Sequence, residues 1–297
     1  MIPGANPDQQ LASIKAATLI ESLPWLREFH DKIVVVKFGG NAMVDAELQR
    51  AFCEDMAYLR WVGIKPVVVH GGGPQISAAL KERGIASEFK GGLRVTSKET
   101  IGVVRDVLRN QISAELAEMI AAAGGDPVVL SGEDSFLFRA EKTYLESEQG
   151  PVDIGFVGEV NTVNPRVVLD ALSQGKIPVI STVAPGADGE LYNVNADLAA
   201  AAAAIAFGAS KLMVLTDVAG LYSNWPNLDS LVSEISAAEL EEMLPTLESG
   251  MIPKMQACLQ AVIGGVPRAH VIDGRTPHSI LLEIFTQSGV GTLVVPN

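Results

Sequence analysis

The stretch Ile33-Val34-Val35-Val36-Lys37-Phe38-Gly39-Gly40-Asn41 decides the fold. A run of β-branched residues with no polar alternation suits a strand buried on both faces. It ends in a lysine and two glycines, the place where open α/β sheets gather their ligands. Further runs of the same kind follow at 67–69, 128–130, 177–180 and 212–215. Helix-like segments separate them, at 46–61, 74–82, 97–123, 166–172 and 197–207. The alternation predicts an α/β fold, an open and mainly parallel sheet sandwiched by helices. Residues 89–96 and 136–163 carry glycine, charge and alternation instead, and predict β-hairpins that form a lid over the first half.

Ahead of the first strand, residues 8–29 place Leu11, Ile14, Ala17 and Thr18, then Leu19, Leu23, Leu26 and Phe29, at helical spacing. Pro24 starts a new turn or kinks this helix. Its apolar face must dock on its own domain or on another subunit. The chain divides accordingly into an N-terminal extension (1–30) and two lobes (31–192 and 193–297).

Over 297 residues, 22 basic against 35 acidic side chains give a net charge of −13, the wrong sign for a general binder of nucleic acid or anionic membranes. Cys53 and Cys258 lack metal or redox spacing and read as buried free thiols. The first residues have no signal-peptide pattern, and the apolar run 198–207 is too short to cross a bilayer, which makes a cytoplasmic chain the expectation.

The glycine loop after the first strand recurs after the second as His70-Gly71-Gly72-Gly73-Pro74-Gln75. Glycines leave backbone N–H groups open to an oxyanion, and Pro74 suits the first turn of a helix whose N-terminus favours anions. No phosphate loop ending in Gly-Lys-Ser/Thr and no dinucleotide fingerprint is present, which disfavours a nicotinamide dehydrogenase. Gly91-Gly92-Leu93-Arg94-Val95-Thr96 offers an arginine, the side chain that grips a carboxylate with two hydrogen bonds. Asn193-Val194-Asn195-Ala196-Asp197 opens an alanine-rich helix, Thr216-Asp217-Val218-Ala219-Gly220-Leu221-Tyr222 follows a strand, and Gly250-Met251-Ile252-Pro253-Lys254 brings a second lysine to a helix start. Taken singly, each has an ordinary reading: a lysine at a turn, a bare glycine turn, a surface arginine, an Asn195 cap with Asp197 in the first turn.

In this order the segments resemble the amino-acid kinase family, in the branch that phosphorylates N-acetyl-L-glutamate. The resemblance runs from Ile33 to Val295. It implies that Lys37 and Lys254 stabilise the transferring phosphoryl group and that Asp197 organises both. It implies that the 31–192 lobe holds the acid and the 193–297 lobe the nucleotide, and that Gly72, Gly73, Arg94 and Asn193 bind the acid. ATP would lie against Gly39, Gly40, Thr216, Asp217, Gly220, Leu221 and Tyr222, its magnesium carried on the phosphates without protein ligands. It further implies a hexamer, a trimer of dimers linked by the N-terminal helix, and inhibition by L-arginine bound at Lys211, His270, Glu283 and Gly289. A modified 2-aminoadipate is the rival acceptor, and a non-catalytic amino-acid sensor the rival class.

Overall fold

The apolar runs become the centre of one eight-stranded sheet in a computed structural model that describes residues 7–145, 150–286 and 289–297. The first six residues, on which the signal-peptide reading rests, lie outside the described residues. So do residues 146–149, inside the segment read as a hairpin. The sheet runs Glu234–Ser236, Thr292–Val295, Ala269–Asp273, Lys211–Thr216, Ile33–Phe38, Lys65–His70, Ile177–Ser181 and Pro127–Ser131. Its six strands from Ala269–Asp273 to Pro127–Ser131 are parallel, and Thr292–Val295 runs antiparallel beside them.

Side chains alternate between the two faces of these strands. Val35, Val67, Val69, Leu212 and Val214 enter a core with the helices Ala196–Ala206 and Ile252–Ile263. Val34, Val36, Phe38, Val68, Met213 and Leu215 enter the opposite core, against Ala46–Trp61 and Ser279–Phe285. Both faces are covered, which is why these strands carry no polar alternation. Cys53 and Cys258 are buried and unpaired, and no described helix is long and apolar enough to span a membrane.

The segment 97–123 is continuous in space but not uniform. Helices Lys98–Asp106 and Ser113–Ala122 flank a π-helical stretch, Val107–Ile112. Leu108 and Ile112 of that stretch abut the second glycine loop, where a Cβ on Gly72 would stand 2.8 Å from Leu108 Cδ2 and 2.4 Å from Ile112 Cδ1.

Strands Phe138–Leu145 and Val152–Val163 pair as expected, and join Leu191–Val194 and Val183–Pro185 in a separate four-stranded sheet. This sheet docks on the arginine segment through Gly155: Thr96 N–H donates to Ile154 O at 3.0 Å, and Phe156 N–H to Thr96 O at 2.7 Å. Gly155 has φ +84°, and a Cβ there would stand 2.2 Å from Thr96 O. Gly155→Ala is therefore expected to lower stability by at least about 1 kcal/mol in urea unfolding. Unchanged stability would show that this contact is not strict.

Residues 8–29 form two helices, Pro7–Glu21 and Leu23–Phe29, broken at Ser22 just before Pro24. The second packs on Ser279–Phe285 and buries Phe29. The first stays exposed along its length, with Ile14 63% and Ile20 70% accessible. Within one protomer, then, the apolar positions of the first helix are not covered.

Candidate active site

The sheet reverses its winding at Ile33–Phe38: the chain builds toward Lys65–His70 on one side and toward Lys211–Thr216 on the other. Ligands of open α/β sheets bind outside the carboxyl ends of the strands at such a point. Lys37 is the penultimate residue of the central strand, 6% exposed. Its ammonium lies 2.8 Å from Asp197 Oδ1, and that of Lys254 lies 3.3 Å from Oδ2.

Helix packing explains why Asp197 can meet both. Ala199, Ala200, Ala201, Ala203 and Ala204 are fully buried, and their small side chains let the Ala196–Ala206 helix approach Ile252–Ile263 closely. Asp197 and Lys254 occupy the first turns of these two helices. Asn195 caps the first helix, its Oδ1 accepting from the N–H groups of Asp197 at 2.8 Å and Leu198 at 3.2 Å. Burial opposes ionisation of Asp197, but the charges of Lys37 and Lys254 outweigh it and hold the carboxyl below its ordinary range.

The glycine loops close around this triad. A Cβ on Gly39 would fall 2.5 Å from Lys37 Nζ. Gly40 has φ +73° and faces Asp217, whose Oδ1 would lie 2.8 Å from an added Cβ. That contact joins the loops leaving the first strand and Lys211–Thr216. Gly71 lies against Ala196, the residue before Asp197, and Gly73 has open space on its side-chain face.

Arg94 is buried against the start of the helix Gly73–Glu82. It donates to Gly73 O at 3.0 Å, to Ser77 Oγ at 2.9 Å and to Ser87 Oγ, and its guanidinium lies over the Phe89 ring. Asn193 Nδ2 reaches Thr96 Oγ1 at 3.4 Å, and Thr96 Oγ1 donates to Arg94 O at 2.8 Å. Gly72, Gly73, Arg94 and Asn193 are thus brought into one neighbourhood.

On the other side, Thr216 is buried at its strand end, and Tyr222 pairs with Trp225 at 5.2 Å between ring centroids. Gly220 and Leu221 pack on the strand Thr292–Val295: Leu221 N–H donates to Thr292 Oγ1 at 2.8 Å, which an added Cβ on Gly220 would meet at 2.6 Å. These two residues hold the loop that presents Asp217 and Tyr222.

None of the four histidines joins the Lys37–Asp197–Lys254 cluster. His70, at the end of Lys65–His70, is fully buried with Nε2 2.6 Å from Ser113 Oγ, and burial pushes its pKa down to about 4. It is a neutral structural residue at pH 7. Among the described residues no three His, Cys, Asp or Glu converge on a point that could hold a metal. The site's donors are ammonium groups and backbone N–H groups, which fit phosphate oxygens.

Sequence reasoning did not single out Ser77, Ser87 or Arg275. Ser77 stands one helical turn after Gly73, a spacing that could have been read. Arg275 is gripped by Asp273, Nε to Oδ1 at 2.9 Å and Nη2 to Oδ2 at 2.7 Å, and Asp217 and Tyr222 further favour its cation.

A second polar cluster lies apart from this one. Glu283 Oε1 lies 2.7 Å from His270 Nε2 and 3.1 Å from Lys211 Nζ, while Oε2 accepts from Val290 N–H at 2.8 Å. Gly289 stands where an added Cβ would be 2.9 Å from Oε2. Burial opposes ionisation of Glu283, but His270, Lys211 and the Val290 N–H bring its pKa below the ordinary value. The cluster opens on a cavity of about 510 Å³ whose wall includes Trp25 and Phe29 of the second N-terminal helix.

A model of the amino acid kinase family matches residues 32–273. The acetylglutamate kinase of Nocardia farcinica (strain IFM 10152) is 59% identical over 283 residues, 95% of this chain and 93% of that protein. N-acetylglutamate synthase from Neisseria gonorrhoeae, solved with coenzyme A and N-acetyl-glutamate, superposes with a TM-score of 0.82 at 22% identity; the match covers 95% of this chain and 63% of that one. Carbamate kinase from Giardia lamblia bound to AMP-PNP superposes with a TM-score of 0.63 at 16% identity, over 90% of this chain and 99% of that one. At these identities the two structures speak for the fold, and the close relative for the branch. With the lysine pair bridged by Asp197 and the two glycine loops at the sheet's switch point, the chain belongs to the amino acid kinase family and, within it, to the acetylglutamate kinases.

Proposed function

We propose that this chain transfers the terminal phosphoryl group of ATP to the γ-carboxylate of N-acetyl-L-glutamate, the phosphorylation that serves arginine biosynthesis. The observation that carries the reading is Asp197 holding Lys37 and Lys254 on its two oxygens between the glycine loops. A carboxylate oxygen attacks the γ-phosphorus as the bond to the β-phosphate oxygen breaks, giving an acyl phosphate and ADP. The acceptor is already ionised at pH 7, with an ordinary pKa of about 4.3, so no proton has to move and no histidine is needed. Catalysis reduces to positioning and charge neutralisation. Lys37 and Lys254 neutralise the transferring group, and backbone N–H groups of the two glycine loops hold its oxygens. Magnesium carried on the nucleotide phosphates would offset the remaining charge.

In this reading residues 31–192 carry most of the acid site and 193–297 most of the nucleotide site, with Asn193 and the Gly39-Gly40 turn each reaching across the divide. Gly72, Gly73, Arg94 and Asn193 face the acid. Gly39, Gly40, Thr216, Asp217 and Tyr222 face ATP, with Gly220 and Leu221 fixing their loop. The Glu283 cluster suits L-arginine as inhibitor: Glu283 offers a carboxylate to the guanidinium, and Lys211 a cation to the carboxylate. The exposed helix Pro7–Glu21 would join dimers into a hexamer.

The test of the reaction is ADP release with N-acetylglutamate, and with a modified 2-aminoadipate as the longer competitor. Turnover with the first acid is expected; none with either acid would leave the sensor reading. Arg94→Lys keeps the charge but loses the planar fork shared with Gly73 and Ser77. KM for N-acetylglutamate is expected to rise by about tenfold while KM for ATP stays within a factor of about two. Equal effects on both substrates would remove Arg94 from the acid side.

A further inference from the structure

The helix Ala46–Trp61 leaves the first glycine loop and buries a carboxylate that the proposed reaction does not use. Asp55 is 1% exposed, and its Oδ1 lies 2.6 Å from His278 Nδ1. His278 comes from a different part of the chain, the loop between the strand Ala269–Asp273 and the helix Ser279–Phe285. It adopts φ +59°, a left-handed conformation that a residue with a side chain takes up at a cost in free energy. Something must hold it there, and the bond to Asp55 is in position to do so.

The loop fastened by this bond is the one that carries Arg275. Gly274 N–H donates to Thr216 O at 2.8 Å, and an added Cβ on Gly274 would lie 3.4 Å from Ala42 Cβ. The loop is therefore wedged between the end of Lys211–Thr216 and the turn after Gly39 and Gly40. Arg275 projects from it within electrostatic reach of Asp217 and Tyr222, its side chain 54% exposed and paired with Asp273. We infer that Asp55 and His278 are a positioning pair, holding the 273–278 loop so that the Arg275 guanidinium meets the phosphates of the bound nucleotide. This rests on the kinase reading above, and it adds a residue to the nucleotide side together with the device that sets it.

The pair also has a pH signature. Burial raises the Asp55 pKa to about 6, against the lowering influence of His278; Glu54 of the same helix adds to the rise. His278 and Glu54 are the titratable groups acting on Asp55. A carboxyl pKa raised in this way leaves the acceptor for His278 intact above about pH 6 and removes its charge below it. The hold on the loop accordingly weakens as pH falls through that value.

The experiment is ADP binding by calorimetry to the full chain, which needs no acceptor. Asp55→Asn removes the charge at constant shape. His278→Asn withdraws the imidazole at a position where asparagine tolerates the left-handed backbone. Each is expected to weaken ADP by roughly five- to tenfold at neutral pH, the scale of one charge-assisted contact, with KM for N-acetylglutamate unchanged. Adding Arg275→Ala to either should bring no further loss, since both act on that guanidinium. The ratio of wild-type to Asp55→Asn affinity should fall toward one below about pH 6, and protonation of ADP itself cancels in this ratio. Variants that bind ADP like the wild type, or whose losses simply add to that of Arg275→Ala, overturn the inference alone. A wild-type chain that binds no ADP overturns it together with the kinase reading.

Discussion

Replacing Lys254 with alanine is expected to lower kcat by about 10²–10³, the usual effect of deleting one preorganised charge donor from a transition state. The same loss is expected for Lys37→Ala, but the two variants should differ in stability. Lys254 is 21% exposed at its side chain and Lys37 only 8%, and both pair with the buried Asp197. Losing the more buried partner leaves Asp197 with one ammonium, so Lys37→Ala should also lower stability, by less than the roughly 3–5 kcal/mol that follows when a buried charge is left wholly uncompensated. KM for both substrates should move much less than kcat, because the lysines act on charge that develops during transfer. Because both lysines share one carboxylate, the double variant should lose less than the product of the single effects. Near-normal turnover in Lys254→Ala, with its fold intact, would place that lysine away from the phosphoryl group. Single-turnover kinetics at saturating ATP make the measurement.

How far this site could be read in advance depended on where each residue's partners lie. Lys37 was legible because its own strand announces it, a fully apolar run ending at a lysine and two glycines. The Ala196–Ala206 helix was legible from its composition and from the Asn195 cap. By contrast, Ala269–Asp273 carries His270 in mid-strand, and that histidine is tolerated because Glu283, in a later helix, lies 2.7 Å away. A polar residue whose partner is distant in sequence interrupts an apolar run and hides the strand. Glu234–Ser236 has only three residues, and Thr292–Val295 buries only alternate side chains, so neither gives the continuous run that marked the central strands. The π-helical stretch has no local mark at all: its residues Leu108 and Ile112 are helix-compatible, and what lies against them is Gly72. Asp55, His278 and Arg275 escaped notice for the same reason. Each looks like a surface charge until the fold sets Asp55 inside and brings the loop to it.

Deleting residues 1–29 is expected to yield a smaller, active species that no longer responds to L-arginine. The helix Pro7–Glu21 presents Leu11, Ile14, Leu19 and Ile20 to solvent, each at least 51% accessible. Apolar side chains that a single protomer leaves uncovered favour burial against another copy, at roughly 25 cal/mol for each Å² removed from water. The second helix acts differently. Trp25 and Phe29 wall the Glu283 cavity, Phe29 lies 5.5 Å from Lys211 Nζ, and Glu28 pairs with Arg268 at 2.7 Å. Removing both helices takes away the covering face and one wall of the cavity, while the Lys37–Asp197–Lys254 cluster lies on other elements. Phe29 is buried, so the truncated chain will melt lower and must be assayed below that temperature. Glu283→Gln separates the two effects. It keeps both helices and the assembly but loses the charged acceptor, so the arginine concentration for half-inhibition should rise by at least about tenfold. Light scattering and ADP release with added arginine read both outcomes. A truncated protein that stays the size of the full assembly and remains fully inhibited would sink the proposal, as would Glu283→Gln with an unchanged arginine response.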